Sequence, residues 1–435
     1  MQYGSAQIVS FGEGGISASA AASRISTGAG TALDAFSKSV SRDRDIKLIG
    51  KVLSSGHNTV IEHAYFTVAF NDVSVLTEQL MIEHRLAAYT VKSRRYVDFT
   101  GAGYVIPALA PEKESAYRTH MDYLFGVYTK LLELGVPRED ARFVLPYCFR
   151  SNFIMSVNAR ELAHIIRQMT EGRLSLYPEI KLLGEELARQ LDALFPGVSG
   201  ADVKRTGEPE KLPVIKRVGA PVPARQETSI VHAPADAEKL LKTALEFSGR
   251  ADVKYSQLIR SERPRELEML NYVFRVKDVS LACVTHFTRH RIQSLYVPAP
   301  VCALTKNAYV LPESISSKPE ALALYAEAFE SNARAAAGFT DDTALLSYFA
   351  LAGNTVDIMF GMNARELLHF LRLRTCTRAQ WEIRDASNDM LRLLRGDFPA
   401  LFACYGPSCA VLTYCPEGRL SCGRIQKTED APNGK

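Results

Sequence analysis

The chain has 435 residues, 47% hydrophobic and 23% charged, with a formal net charge of +4. At about 150 residues per domain that length predicts two or three domains, each large enough to bury a core without disulfides. The small net charge gives no footprint for a nucleic-acid partner. No stretch approaches the ~18 apolar residues that span a bilayer, and eight cysteines dispersed over so long a chain point to a reducing, cytoplasmic setting.

The N-terminus, rich in Gly, Ala and Ser, has neither the basic nor the apolar region of a secretory signal. Ile8-Val9-Ser10-Phe11 reads as a strand, and a helical segment leads on to the region of His57 and His63. Tyr65 to Phe70 is aromatic and β-branched, hence a strand. Val73 to Arg85 has helical spacing with its basic end last. Tyr104-Val105-Ile106-Pro107 predicts a short strand stopped by proline. Amphipathic helices are expected over residues 111–135 and 138–146. Asn158 as N-cap and Glu161 three residues on read as a capping box opening a long helix that ends near Phe195-Pro196-Gly197. Residues 197–235 have the proline, glycine and mixed charge of a linker, and the same element order restarts near 236.

That restart is one face of a duplication. Glu83-His84-Arg85, seven residues, then Ser93-Arg94-Arg95-Tyr96 is answered about 206 positions later by Arg289-His290-Arg291, seven residues, then Ala299-Pro300-Val301-Cys302. Asp72-Val73-Ser74 is answered by Asp278-Val279-Ser280, and Asn158-Ala159-Arg160-Glu161-Leu162 by Asn363-Ala364-Arg365-Glu366-Leu367. So long a period excludes a solenoid, whose repeats run about 20–50 residues. The expected organisation is a first copy over 1–196, a Pro/Gly-rich linker over 197–235, a second copy over 236–404 and a cysteine-containing tail over 405–435. The fold class is α/β (α+β), each copy a central antiparallel or mixed sheet flanked by long helices.

The Arg-His-Arg-x7-Ser pattern, the Asn-Ala-Arg-Glu-Leu helix and the run from Leu371 to Arg384, with Ala379-Gln380-Trp381-Glu382-Ile383-Arg384 at its end, resemble the flavin-dependent thymidylate synthase family. A lone Arg-His-Arg would be a weak signal; with the later block at matching distance it is specific, and it covers nearly the whole chain twice. The resemblance implies two tandem thymidylate-synthase-complementing-like domains, FAD as cofactor, NADPH and methylenetetrahydrofolate as co-substrates, and dUMP converted to dTMP. It also implies a homotetramer, which a homodimer of two-copy chains would imitate with four domains. The protein's part in such chemistry is electrostatic: arginines for a phosphate and for charge developing on the base.

By the same resemblance, one side of the nucleotide site needs a serine and an arginine after the x7 spacer and an arginine before the Val-Leu-Pro turn. The first copy has Ser93, Arg95 and Arg142; the second has Ala299, Val301 and Ser347. The opposing side needs a polar residue three before the motif, the motif's first arginine and an arginine after the Asn-Ala-Arg helix. The second copy has His286, Arg289 and Arg374, the last expected to polarise the uracil; the first has Leu80, Glu83 and Met169. Random decay would scatter its losses, whereas every loss here falls on the partner of another. One complete site per chain, built from both copies, is the expectation. For flavin the resemblance implies His63 (Met269 in the second copy), His84 and Arg85, His290 and Arg291, Asn158 and Asn363, and His164 and His369. Val91 and Val297 replace an acidic or polar residue common in the spacer.

Two alternatives stay open: the same chemistry on another uridine nucleotide such as UMP, and a non-catalytic flavin- or nucleotide-binding descendant. Trp381 reads as core. Cys404, Cys409, Cys415 and Cys422 are spaced too widely for a usual zinc site, and no metal is expected.

Overall fold

In the computed structural model, which describes residues 3–26, 28–201 and 210–424, β1 (Ser5–Phe11) pairs antiparallel with β2 (Tyr65–Ser74). The sheet is completed by β3 (Ala88–Val91) and β4 (Arg150–Asn158) in the order β1-β2-β4-β3. Alternation explains the pairing: Phe66, Val68 and Phe70 of β2 and Phe153, Met155 and Val157 of β4 all point into the core. Phe70 stacks on Phe153 with ring centroids 4.3 Å apart.

β2 runs four residues beyond the expected Phe70 through a bulge, where Asp72 adopts φ 52°. Aspartate tolerates the left-handed region better than most residues, and Asp278 repeats the same φ of 52° in the second copy. Ser74 then caps the helix Val75–Met81, its side chain accepting from the Thr77 N–H. The helix predicted over Val73 to Arg85 is therefore shorter, and Glu83-His84-Arg85 lie in the turn beyond its end. Glu179 reaches Ser74 from another helix, accepting from its N–H at 2.8 Å and its hydroxyl at 2.5 Å. Such a carboxylate complements the orphan donors of a helix N-terminus. Glu382 holds Ser280 in the same way, at 2.6 and 2.5 Å. The glutamate of the Gln-Trp-Glu-Ile block is thus a structural cap.

The second sheet has the order β6-β7-β10-β8, from β6 (Glu227–His232), β7 (Asn271–Ser280), β8 (Ser294–Tyr296) and β10 (Thr355–Asn363). β5 (Val222–Ala224) runs parallel to β9 (Ala308–Val310). Both β5 and β6 lie inside the stretch read as linker: the second sheet starts before residue 236, because β7 offers an edge that Glu227–His232 covers. β9 is the second copy's counterpart of the strand expected at Tyr104 to Pro107. In the first copy only a bridge forms there, between Tyr104 and Phe149.

The long helix predicted after Asn158 is two helices, Ala159–Thr170 and Pro178–Leu194, with Pro178 at the first helical position. The helix predicted over 138–146 is a single turn, Arg138–Ala141, followed by a 3₁₀ turn from Arg142 to Val144. Trp381 is half-buried at the start of the helix Trp381–Asp397 rather than enclosed in the core.

The chain divides into two compact units, Met1–Ala220 with Ser314–Ala352, and Pro221–Glu313 with Gly353–Lys435. The first unit therefore holds a piece of the second copy. Its helix Pro319–Ala336, burying Tyr325, Ala328 and Phe329, packs on Pro111–Glu133, and His120 Nε2 meets Asn332 Oδ1 at 3.1 Å. Beside this helix pair the Tyr147 N–H donates to the Ala350 carbonyl at 2.8 Å, and the Ala352 N–H to the Leu145 carbonyl at 2.9 Å. These are equivalent positions of the two copies, so the bonds reciprocate around the Pro146–Leu351 bridge. Among the described residues no helix is long and apolar enough to cross a membrane.

Candidate functional site

The richest arrangement lies in the second unit, along the helix Ala364–Arg374. Asn363 caps that helix, its side chain accepting from the Glu366 N–H at 2.9 Å. β7 and β10 are in register at Asn271 and Asn363, which sets the cap at the sheet end where the Arg289-His290-Arg291 turn follows the helix Leu281–Thr288. A pocket of about 720 Å³ opens there, lined by Arg289, Arg291, Arg365 and Arg374 together with His290 and His369. Its carboxylates cancel only part of that charge: Glu268 is shared between Arg365, one of the four, and Arg265, and burial pushes Glu366 up to about 7. Cationic side chains gathered in one pocket, with a helix N-terminus at one end of it and Arg374 at the other, suit an anionic, phosphate-bearing ligand.

Arg374 is held by a chain of hydrogen bonds. Its Nε–H donates to His290 Nε2 at 3.0 Å and one Nη to the His286 carbonyl at 3.3 Å. An arginine can only donate, so Nε2 carries the lone pair and the neutral ring keeps its proton on Nδ1, which faces Glu366 Oε1 at 3.3 Å. Burial, with Arg374 and His369 adding to it, pushes His290 down to about 2. His290, a flavin residue by resemblance, thus stands behind Arg374 as its support, while His369 lies exposed with its ring 5.8 Å from that of His290.

The first unit has the same frame with other contents. Asn158 caps the helix Ala159–Thr170, and the Glu161 carboxyl, expected to close a capping box, faces His84 Nδ1 at 3.8 Å. His164 is half-buried with its ring 6.0 Å from His84, and Arg85 is exposed. His63 is exposed two residues before β2, at the sheet end where Tyr65 pairs with Asn158; Met269 holds the same place before β7 and is exposed too. Leu80 and Met169, both buried, stand where the second copy has His286 and Arg374. Glu83 stands in place of Arg289. Burial pushes its carboxyl up, and Arg173 Nη2 donates to it at 2.9 Å. This half is filled by apolar groups and an ion pair that satisfies itself.

Elsewhere in the first unit Ser93, Arg95 and Arg142 gather around Glu139. Arg95 Nε donates to the Glu139 carboxylate at 2.8 Å and Arg142 Nε to the Glu139 carbonyl at 3.0 Å, while the Arg95 N–H donates to Ser93 Oγ at 3.3 Å. Val91 ends β3 paired with Phe153, and Val297 directly follows β8. The spacer is partly strand in each copy, which accounts for valine there.

Sequence reasoning missed four supports: Glu139 behind Arg95, Glu366 behind His290, Arg365 in the pocket wall and Arg173 opposite Glu83. A signal existed for the first. Glu139 becomes Ala344 in the second copy, lost along with the arginines it holds. The four C-terminal cysteines range from buried Cys404 to exposed Cys422, and all eight cysteines are free thiols. Among the described residues no group of three or more His, Cys, Asp or Glu is placed to hold a metal.

The buried histidines make stability pH-dependent. Burial, His164 and Arg173 push His84 down to about 3 from an ordinary 6.5, so it is neutral when folded and takes a proton on unfolding in acid. That contribution is complete above pH 6.5 and is lost toward about 3, at up to ~1.4 kcal/mol per pH unit. His290 acts in the same sense toward about 2. Glu366, raised to about 7 from 4.5, opposes it between those values, as do buried Glu83 and Glu179, whose carboxyls are also pushed up, so the His84 share is read as a difference. From about pH 7.5 to about pH 5 the wild-type thermal midpoint should lose ground to that of His84→Asn. A gap between the two that did not change with pH would contradict this burial.

The model of a family described as "Thymidylate synthase complementing protein" matches residues 7–197 and again 225–400. The chain is similar to a flavin-dependent thymidylate synthase of Geobacter sulfurreducens, 32% identical over 175 residues, covering 39% of this chain and 75% of that one. Another, from Nitratidesulfovibrio vulgaris, is 32% identical over 198 residues, covering 41% and 78%. Among solved structures, a UMP/dUMP methylase from Streptomyces cacaoi bound with 5-Br dUMP is 22% identical over 46% of this chain and 94% of its own, with a TM-score of 0.40.

Proposed function

Since this chain belongs to the thymidylate synthase complementing protein family, whose model it matches twice, we propose that it is a flavin-dependent thymidylate synthase. In this reading it methylates dUMP reductively to dTMP, with FAD bound and with methylenetetrahydrofolate and NADPH as co-substrates. The observation that carries the reading is the arginine-lined pocket of the second unit, in which Arg374 is aimed by a neutral histidine.

The donor set fits a flavin dinucleotide and a nucleotide monophosphate, both anionic. Arg291, Asn363 and His369 would hold the flavin in the second copy, with His290 behind them supporting Arg374, and His63, His84, Arg85, Asn158 and His164 would hold it in the first. A bound flavin supplies the reducing hydride. The chain's own groups do the rest: Ser93, Arg95 and Arg142 take the nucleotide's phosphate and sugar side, His286 and Arg289 orient it, and Arg374 stabilises negative charge developing on the uracil. Because each copy keeps only one of these sets, the proposal has one composite site per chain. One observation supports it: each set is gathered within its own unit. A homodimer of such chains presents four family domains, and eight free thiols support the expected cytoplasmic setting.

The test is tritium release from dUMP labelled at C5, with FAD, NADPH and methylenetetrahydrofolate, beside equilibrium dialysis of dUMP. Release with dTMP formed and one dUMP per chain is the expected result. Two per chain would break the composite-site reading. Release from UMP in preference to dUMP would move the substrate, and binding without release would leave a non-catalytic protein.

A further inference from the structure

Arg94 stands between Ser93 and Arg95, the two residues given to the nucleotide, and it points the other way. It is 7% exposed, and its Nη2 donates at 2.8 Å to Glu78 Oε1 on the helix Val75–Met81. The Ser151 hydroxyl of β4 donates to the other oxygen of Glu78. Glu78 and Ser151 are fully buried. The three side chains thus tie the loop after β3 to a helix and to the central sheet. Fully buried Tyr147 lies in the field of Arg94, Glu78 and Arg142, so this lock adjoins the third residue of the same set.

The second copy is an internal control, since its frame matches residue by residue. Ser280 caps its helix as Ser74 does, which makes Val284 the counterpart of Glu78. Val356 pairs with Val279 as Ser151 pairs with Val73, which makes Val356 the counterpart of Ser151. Pro300 stands for Arg94 between Ala299 and Val301. All three replacements are apolar and buried. A buried charge whose partner is removed is strongly destabilising, whereas exchanging the whole set for apolar groups is tolerated.

Which networks survive in both copies is the telling point. The Ser–Glu cap of the same helix and the asparagine cap are kept twice. The Arg94–Glu78–Ser151 lock is kept only where Ser93, Arg95 and Arg142 are kept. It follows the binding residues and not the fold. We infer that Arg94, Glu78 and Ser151 form a positioning lock that holds Ser93 and Arg95 in the geometry required for the nucleotide's phosphate. This rests on the reading that Ser93 and Arg95 bind the nucleotide. The lock cuts the ordering cost of binding by fixing the loop beforehand.

The test compares three variants of the flavin-loaded full chain: Arg95→Ala, Arg94→Lys, and the apolar triple Arg94→Met, Glu78→Val, Ser151→Val. Equilibrium dialysis with labelled dUMP, the bound-flavin spectrum, KM and kcat, and the thermal midpoint are measured. The triple variant should keep its midpoint and flavin spectrum, bind dUMP about tenfold or more weakly, and show its loss in KM rather than kcat. Arg94→Lys, the milder change because it keeps a positive charge opposite Glu78 while losing the planar fork, should show the same split and serves alone if the triple variant does not fold. Wild-type dUMP affinity in the folded lock variants, with affinity lost in Arg95→Ala, would overturn the lock and leave the site standing. Undiminished affinity in Arg95→Ala would overturn the site reading, and the lock with it.

Discussion

Arg374→Ala should lower turnover by two to three orders of magnitude while dUMP still binds. Removing one preorganised donor from the place where charge develops costs roughly 10²–10³ in kcat, and Arg374 is the residue the second unit takes most trouble to aim. The Nε–H bond to His290 at 3.0 Å and the Nη2 bond to the His286 carbonyl at 3.3 Å hold the guanidinium at the pocket wall. Arg374→Lys is the sharper variant. Lysine keeps the charge but lacks both the Nε–H directed at His290 and the planar fork, so it should recover little. His290→Gln should also lower kcat, with less effect on dUMP affinity, because it acts through Arg374. Single-turnover rates and dUMP dialysis on the same preparations separate these effects. Near-wild-type kcat in Arg374→Ala would end the assignment.

Arg142→Ala should act on binding instead, raising the dUMP dissociation constant roughly 10- to 100-fold, the size of a lost charge-assisted hydrogen bond. Arg142 is only 3% exposed and is steered by the Glu139 carbonyl at 3.0 Å. Alanine there also leaves a void, so the thermal midpoint must be recorded beside the affinity. The counterpart Ser347 is fully buried, its hydroxyl donating to the Thr343 carbonyl at 3.0 Å. Ser347→Ala should leave dUMP binding and turnover unchanged. An arginine at Ser347 would be a poor control, since it would force a charge into a closed space. Equal losses from Arg142→Ala and Ser347→Ala would mean that both half-sites work and that the copies have not divided their labour.

Much of the architecture was legible because it is local. The aspartates at the bulges, the serines four residues before Glu78 and Val284, and the asparagines before Ala159 and Ala364 each act within a few positions of themselves, through φ preference or a bond to a nearby N–H. Their recurrence exposed the duplication. The complementary loss of Ser93, Arg95 and Arg142 from one copy and of His286, Arg289 and Arg374 from the other was legible for the same reason. A residue's identity at a repeated position needs no structure to read.

Contacts between distant residues were not legible. Glu179 and Glu382 reach their serines across 105 and 102 positions. His290 meets Glu366 and Arg374 across 76 and 84. No periodicity announces such pairs, because they form only where packing brings two elements together. Glu161 looked like the second member of a capping box, yet it faces His84, which the chain's return brings opposite it, as Glu366 faces His290 in the second copy. The duplication, the fold class and the division of the arginine sets were determined by sequence alone, since repeated residues and local backbone preferences are written position by position. Which histidine orients Arg374, which residues lock Ser93 and Arg95, and that residues 314–352 of the second copy belong to the first compact unit were decided by tertiary structure. Burial and long-range pairing belong to the packed chain as a whole and to no single stretch of it.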